Sequence, residues 1–209
     1  MAEIRIPPGR AGRLRLRRRL EVAERGAALL DQKLRALQQE EHQLAARAEA
    51  SGRDWARSAA AAEDWLLRAV LLGGQGGLRL ADPGSPVDVS LHWTASMGVR
   101  YPVGVSRTPP SHERTSVPCG PAMIEAAEAH DTALDVALRH AADRTALRLV
   151  RAEIATTRQR VRMLRRHWIP KLRTALIAAD FALEEQERSE VLLRRWARDE
   201  GRPPGSEPS

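Results

Sequence analysis

With 209 residues, 29% charged side chains, a formal net charge of +7 and the single cysteine Cys119, the chain cannot hold an internal disulfide, and its most apolar stretch, Trp65 to Leu72, is too short and, with Arg68, too polar to predict a transmembrane helix. Its hydrophobic fraction of 43% is dominated by alanine, with only five Trp, one Tyr and one Phe. That composition argues against a compact aromatic core and for long helices burying a narrow stripe. The positive charge is nearly all arginine. It permits nucleic acid, an anionic membrane or an acidic protein as partner without choosing among them.

Residues 1–12 include Pro7, Pro8 and Gly9 and are expected to be irregular. They contain no apolar run long enough for a signal peptide, so the expectation is a soluble, cytosolic protein. From Arg13 to Leu72 a heptad frame holds without a break. One set of positions is Arg13, Leu20, Ala27, Leu34, Glu41, Ala48, Trp55, Ala62 and Ala69; the other is Leu16, Ala23, Leu30, Leu37, Leu44, Ser51, Ser58, Trp65 and Leu72. This is the pattern of a coiled-coil seam, and it predicts a first helix over 13–72. Glu41, Ser51 and Ser58 interrupt the apolar stripe, where the helix should bend or meet a partner. Gly73-Gly74-Gln75-Gly76-Gly77 should stop it.

Residues 73–121 then change character. Val87 to Trp93 alternates apolar and polar at period two, and Met97 to Val103 follows after Thr94-Ala95-Ser96. This reads as a β-hairpin, with Pro102 confining the second strand to an edge. An isolated hairpin is marginal in water, so it should pack on something. Deleting 87–103 is nevertheless expected to leave the helices intact. Residues 107–121 hold four prolines and Cys119 and read as a loop.

A second helix is expected over 122–200. Its seam passes through Ala122, Ala126, Ala129, Ala133, Val136, His140, Asp143, Leu147, Val150, Ile154, Thr157, Val161, Leu164 and Trp168. Pro170 removes a backbone donor and should kink it. The seam resumes one residue out of register at Leu172, Leu176, Ala179 and Leu183, a stutter. Residues 201–209 should be a disordered tail. The 49 residues between the helices cannot easily return the chain along the whole first helix, so the two should pair antiparallel. The fold class is therefore mainly α, a long antiparallel two-helix coiled coil with a small β-hairpin insertion.

No catalytic, cofactor-binding or metal-binding set emerges. The six histidines lack the i, i+4 spacing of a helical metal site, and one cysteine makes no zinc pattern. The glycine run lacks the Lys-Ser/Thr of a phosphate loop and precedes no helix. His140, on the seam, is a candidate for setting register. Two arginine clusters stand out: Arg10, Arg13, Arg15, Arg17, Arg18 and Arg19 at the start, and Arg158, Arg160, Arg162, Arg165 and Arg166 in the second helix. They suit a solvated flank, nucleic acid or an acidic protein sleeve. Aromatic stacking platforms are absent nearby except for Trp168, which counts against single-strand binding.

Three stretches carry a resemblance. They are Pro8-Gly9-Arg10 with Arg25-Gly26-Ala27-Ala28-Leu29-Leu30-Asp31-Gln32-Lys33; Ser96-Met97-Gly98-Val99-Arg100-Tyr101-Pro102; and Thr157-Arg158-Gln159-Arg160-Val161-Arg162-Met163-Leu164 through Ile169-Pro170, then Leu183 to Arg188. With the order helix, glycines, hairpin, helix, the chain resembles the D subunit of V-type (A/V-type) rotary ATPases, the central shaft. Arg162 and Arg165 stand where the family has Asn and Glu, so contacts of those two residues do not carry over.

The resemblance implies a non-catalytic rotor on the cytoplasmic face of a membrane, neither inserted in it nor binding nucleic acid. Its paired termini, including Arg10, Arg13, Arg15, Arg17, Arg18, Arg19, Leu193 and Trp196, would enter a head of A and B subunits. The F subunit would dock on its side, and the C (or d) subunit would join its far end to the membrane ring. Gly26, Met97, Gly98, Arg158, Arg160, Val161, Leu164, Ile169 and Pro170 are the family-motif positions. The competing readings are a stand-alone coiled-coil scaffold or export stalk, and a basic nucleic-acid-binding coiled coil.

Overall fold

A computed structural model describes residues 9–80, 86–108 and 120–200; Cys119, most of the proline-rich loop, the extreme N-terminus and the 201–209 tail lie outside the described residues. The elements are helix α1 (Arg10–Leu80), strands β1 (Asp88–Ser96) and β2 (Val99–Thr108), helix α2 (Pro121–Met163), a π-helical turn (Leu164–Trp168) and helix α3 (Ile169–Glu200). The chain divides into two compact units, residues 1–32 with 158–209, and residues 33–157.

Helix α1 begins earlier than its heptads suggest. Gly9 has φ 91°, and its carbonyl accepts from the backbone N–H groups of Gly12 (3.0 Å) and Arg13 (3.3 Å), so the first turn closes on the glycine and Arg10–Gly12 are helical. At the other end the glycine run interrupts the helix at one residue, Gly74 (φ 65°, ψ 175°). Without a Cβ this residue enters the left-handed region freely, and helical turns resume to Leu80. Leu72, a predicted seam residue, is 81% exposed.

In the first unit, Leu16, Ala23 and Ala27 of α1 pack with Ile169 and Leu172 of α3, flanked by Leu20, Leu164, Ala175, Leu176 and Ala179. Ion pairs run in opposite sequence order: Arg10–Glu187 (2.8 Å), Arg13–Asp180 (2.5 Å), Glu24–Arg173 (2.6 Å) and Asp31–Arg165. The helices of this unit are therefore antiparallel. The expected stutter has a definite form. Ile169 donates its backbone N–H to the Leu164 carbonyl, five residues back. One extra residue is thereby absorbed before Pro170, whose ring could not have completed an ordinary turn. The extra residue also corrects the predicted seam: Ile169 is buried and Trp168 is swung outward, 44% exposed.

In the second unit, Leu37 and Leu44 of α1 meet Ala146, Val150 and Ile154 of α2. Farther along, Ala69 meets Met123 and Ala126. The pairs Lys33–Glu153 (2.6 Å), Glu41–Arg151 (2.8 Å) and Arg47–Asp143 (2.8 Å) again descend on one helix as they ascend on the other. Two of the polar stripe residues are satisfied inside this unit. Glu41 holds Arg151, and buried Ser51 bonds the Ala48 carbonyl (3.3 Å) and lies 3.2 Å from His140 Nδ1. Trp55, expected on the seam, is half-exposed and stacks on the His140 ring with centroids 5.8 Å apart.

The hairpin belongs to this unit. Its turn is Met97-Gly98, with φ 50° and 79°, not Thr94–Ser96. The two positive φ values match the twist of the flanking strands, so Thr94–Ser96 extend β1. His92 pairs with Gly104 and Trp93 with Pro102, leaving Val103 as a bulge beside the proline that cannot donate to a ladder. Tyr101 joins the core of Leu37, Leu44, Ala146, Val150 and Ile154, and Pro102 is also buried.

Candidate partner-binding surface

Three polar anchors hold the hairpin on its helices. The Tyr101 hydroxyl donates to Glu40 Oε1 at 2.6 Å. Arg47 Nη2 reaches both Asp143 (2.8 Å) and the Val103 carbonyl (3.4 Å). Arg107 pairs with Asp135 and Asp131. Burial, then the bond to Glu40, pushes the Tyr101 phenol up to about 12, because both favour its neutral form. None of these cross-element bonds has a signature in the linear sequence, since the partners are 24 to 96 residues apart.

The six N-terminal arginines divide by the company they keep. Arg10 and Arg13 are held across the helix pair by Glu187 and Asp180. Arg17 lies 3.7 Å from Glu21 on its own helix. Arg15, Arg18 and Arg19 are exposed and make no ion pair among the described residues. In the second cluster Arg165 pairs with Asp31, while Arg158 and Arg160 project into solvent. Val161, Leu164 and Ile169 lie on the packed side and Pro170 on the outside.

Arg10 meets Glu187, so α3 continues past the first residue of α1. Beyond that point Val191, Leu192, Leu193 and Trp196 are 51 to 66% exposed. These are four large apolar side chains exposed within six residues of one helix. Leu193 and Trp196 thus share this segment, and Arg10 is beside its start. Gly26 sits mid-helix in the first unit, and Met97 and Gly98 form the hairpin turn of the second. Among the described residues no three His, Cys, Asp or Glu side chains converge as a metal site would require, and no helix is long and apolar enough to cross a membrane.

A family model described as the D subunit of ATP synthase matches residues 13–199. The D subunit of the A-type ATP synthase of Archaeoglobus fulgidus is 30% identical over 200 residues, covering 92% of this chain and 94% of that protein. The protein of the same name from Methanopyrus kandleri is 29% identical over 203 residues, covering 93% of this chain and 86% of that protein.

Proposed function

The chain belongs to the family of ATP synthase D subunits, and from that premise we propose that it is the non-catalytic central-stalk rotor of a V/A-type proton-translocating ATPase or ATP synthase. It couples nucleotide turnover in the head to rotation of a membrane ring. Its partners are the A and B subunits around the paired termini, the F subunit on its flank, and the C (or d) subunit linking it to the ring. It works on the cytoplasmic face of the membrane.

The observation that carries this reading is the apolar segment of α3, Val191 to Trp196; on α1 of the same unit, Arg15, Arg18 and Arg19 are exposed with no ion pair among the described residues. A protein sleeve carrying acidic groups would cover both. The chemistry of nucleotides stays with the head, and this chain supplies packing and charge.

The test is co-expression with the A, B and F subunits. The wild-type chain should co-purify with an A–B hexamer and an F-sized partner. A Leu193→Glu, Trp196→Glu variant should keep its helicity by circular dichroism but lose at least about tenfold in affinity for the head, as expected when charge is placed in an apolar interface. Equal recovery of the variant in a complex with unchanged ATP-driven proton pumping would refute the assignment.

A further inference from the structure

We propose that a groove in the first unit, between α1 and the π-helical turn, is a docking site for an acidic amphipathic helix of another protein. The inference stands on the groove's own chemistry and holds whatever assembly the chain joins. Arg18, Arg19, Val22 and Gly26 line it from α1, and Leu164 and Trp168 from the other side.

Three independent observations converge on it. The π-turn supplies the first: by absorbing one residue it turns Trp168 off the seam and places its ring in the groove, 44% exposed. Opposite, Val22 is 68% exposed. The fold thus leaves two large apolar surfaces uncovered on facing sides of one trough, and π-turns within α-helices recur at functional positions.

Gly26 is the second. A glycine in mid-helix is disfavoured relative to alanine, so it needs a reason. A Cβ built at Gly26 meets no atom of this chain within 4 Å. At Gly52, by contrast, a Cβ would lie 3.0 Å from the His140 ring, so that glycine is explained internally. No atom of this chain occupies the space above Gly26, and the bare backbone there permits a partner's closest approach.

Charge is the third. Arg18 and Arg19 rim the groove, neither has an ion pair among the described residues, and no acidic residue lines it. An apolar floor with a cationic rim matches a helix bearing leucine-like side chains on one face and carboxylates beside them. A nucleic acid would satisfy the rim but not the floor.

The test uses the full chain and a fluorescein-labelled synthetic peptide of about 20 residues, long enough to form a helix on docking, with Glu and Asp on one face and Leu on the other. Anisotropy should saturate. Gly26→Gln keeps an exposed helix intact and fills the groove, so binding should fall about tenfold or more with unchanged circular dichroism. Trp168→Ala and Arg18→Glu should weaken it comparably. The pair Arg139→Glu and Arg148→Glu, which changes net charge elsewhere, should not. The proposal is overturned by absence of saturable binding, by equal binding of a scrambled peptide, or by indifference to Gly26→Gln. It is also overturned if duplex DNA of matched charge displaces the peptide and its own binding is equally sensitive to Gly26→Gln.

Discussion

Gly26 and Gly52 lie on the same helix, and their substitution by alanine should have opposite effects. At Gly26 nothing stands within 4 Å of the new methyl group. The helix gains propensity alone, and Gly26→Ala should stabilise by about 0.5–1 kcal/mol, seen as a higher melting temperature. At Gly52 the methyl group would press on His140 Cε1 at 3.0 Å. The ring must then leave Ser51 and Trp55, so Gly52→Ala should give a net loss of about 1 kcal/mol despite the same propensity gain. Tyr101 is sensitive to pH for a related reason of environment. Its phenol is raised from 10.0 to about 12. A raised folded-state value means that its contribution is complete below the unfolded value of 10.0 and is lost as pH rises through the folded one. Hairpin docking should therefore loosen between 10.0 and about 12, read as phenolate absorbance rising late and together with faster hydrogen exchange in β2. Tyr101→Phe leaves Glu40 without its donor and should cost about 1–2 kcal/mol at neutral pH.

Among the elements, the π-turn and the hairpin each reconcile a local rule with a tertiary demand. From Val161 and Leu164 a regular helix would next bury position 168, whereas the buried side chains are Ile169 and Leu172. Deleting His167 should restore regular spacing: Ile169 and Leu172 fall into the ordinary three–four sequence after Leu164, and the turn becomes α-helical. The melting temperature should change by only a few degrees, since about 1 kcal/mol corresponds to shifts of that size. Deleting Ala152, in regular α2, should instead rotate the remainder of that helix by about 100° off the seam and cost about 2 kcal/mol or more through exposed core positions. The hairpin is legible as strands because alternation is local. Its role in packing is not, since Tyr101 fills a core made by helices distant in sequence. Removal of 87–103 should still leave a helical circular dichroism spectrum, as the α1–α2 pair has apolar contacts of its own, but unit 33–157 should melt at a lower temperature for want of Tyr101 and Pro102.

For the molecule as a whole, charge that is idle within the chain is the charge available to a partner. Among the described residues, replacing Arg15, Arg17, Arg18 and Arg19 by Ala breaks no ion pair between helices, only the 3.7 Å contact of Arg17 with Glu21. The variant should melt within about 2 °C of the wild type, because exposed pairs contribute at most about 1 kcal/mol each. In the assembled complex proposed above it should pump fewer protons per ATP hydrolysed. Pumping and hydrolysis measured together on reconstituted vesicles check this, and an unchanged ratio would remove these arginines from the coupling surface. Replacing Arg10 and Arg13 instead cuts the bonds to Glu187 and Asp180, so some loss of helix pairing at that end should accompany any loss of coupling.

The helical class, most of the α1 seam between Leu16 and Ala69 (Trp55 excepted, which is exposed), the presence of the hairpin and the family are all legible in the linear sequence. Each is written in periodicity or in short contiguous motifs, and a seam of leucine and alanine every three to four residues has few other ways to bury itself. Tertiary structure alone decided which side of Leu164–Ile169 faces inward, because a π-turn is chosen by the fit of distant apolar residues and not by local propensity. It also decided that Ser51 and Glu41 are satisfied within the helix pair, that Tyr101 belongs to a helical core, and which arginines are left over. These outcomes depend on who stands opposite whom in space, and an arginine reads the same in sequence whether or not an acid waits across the seam.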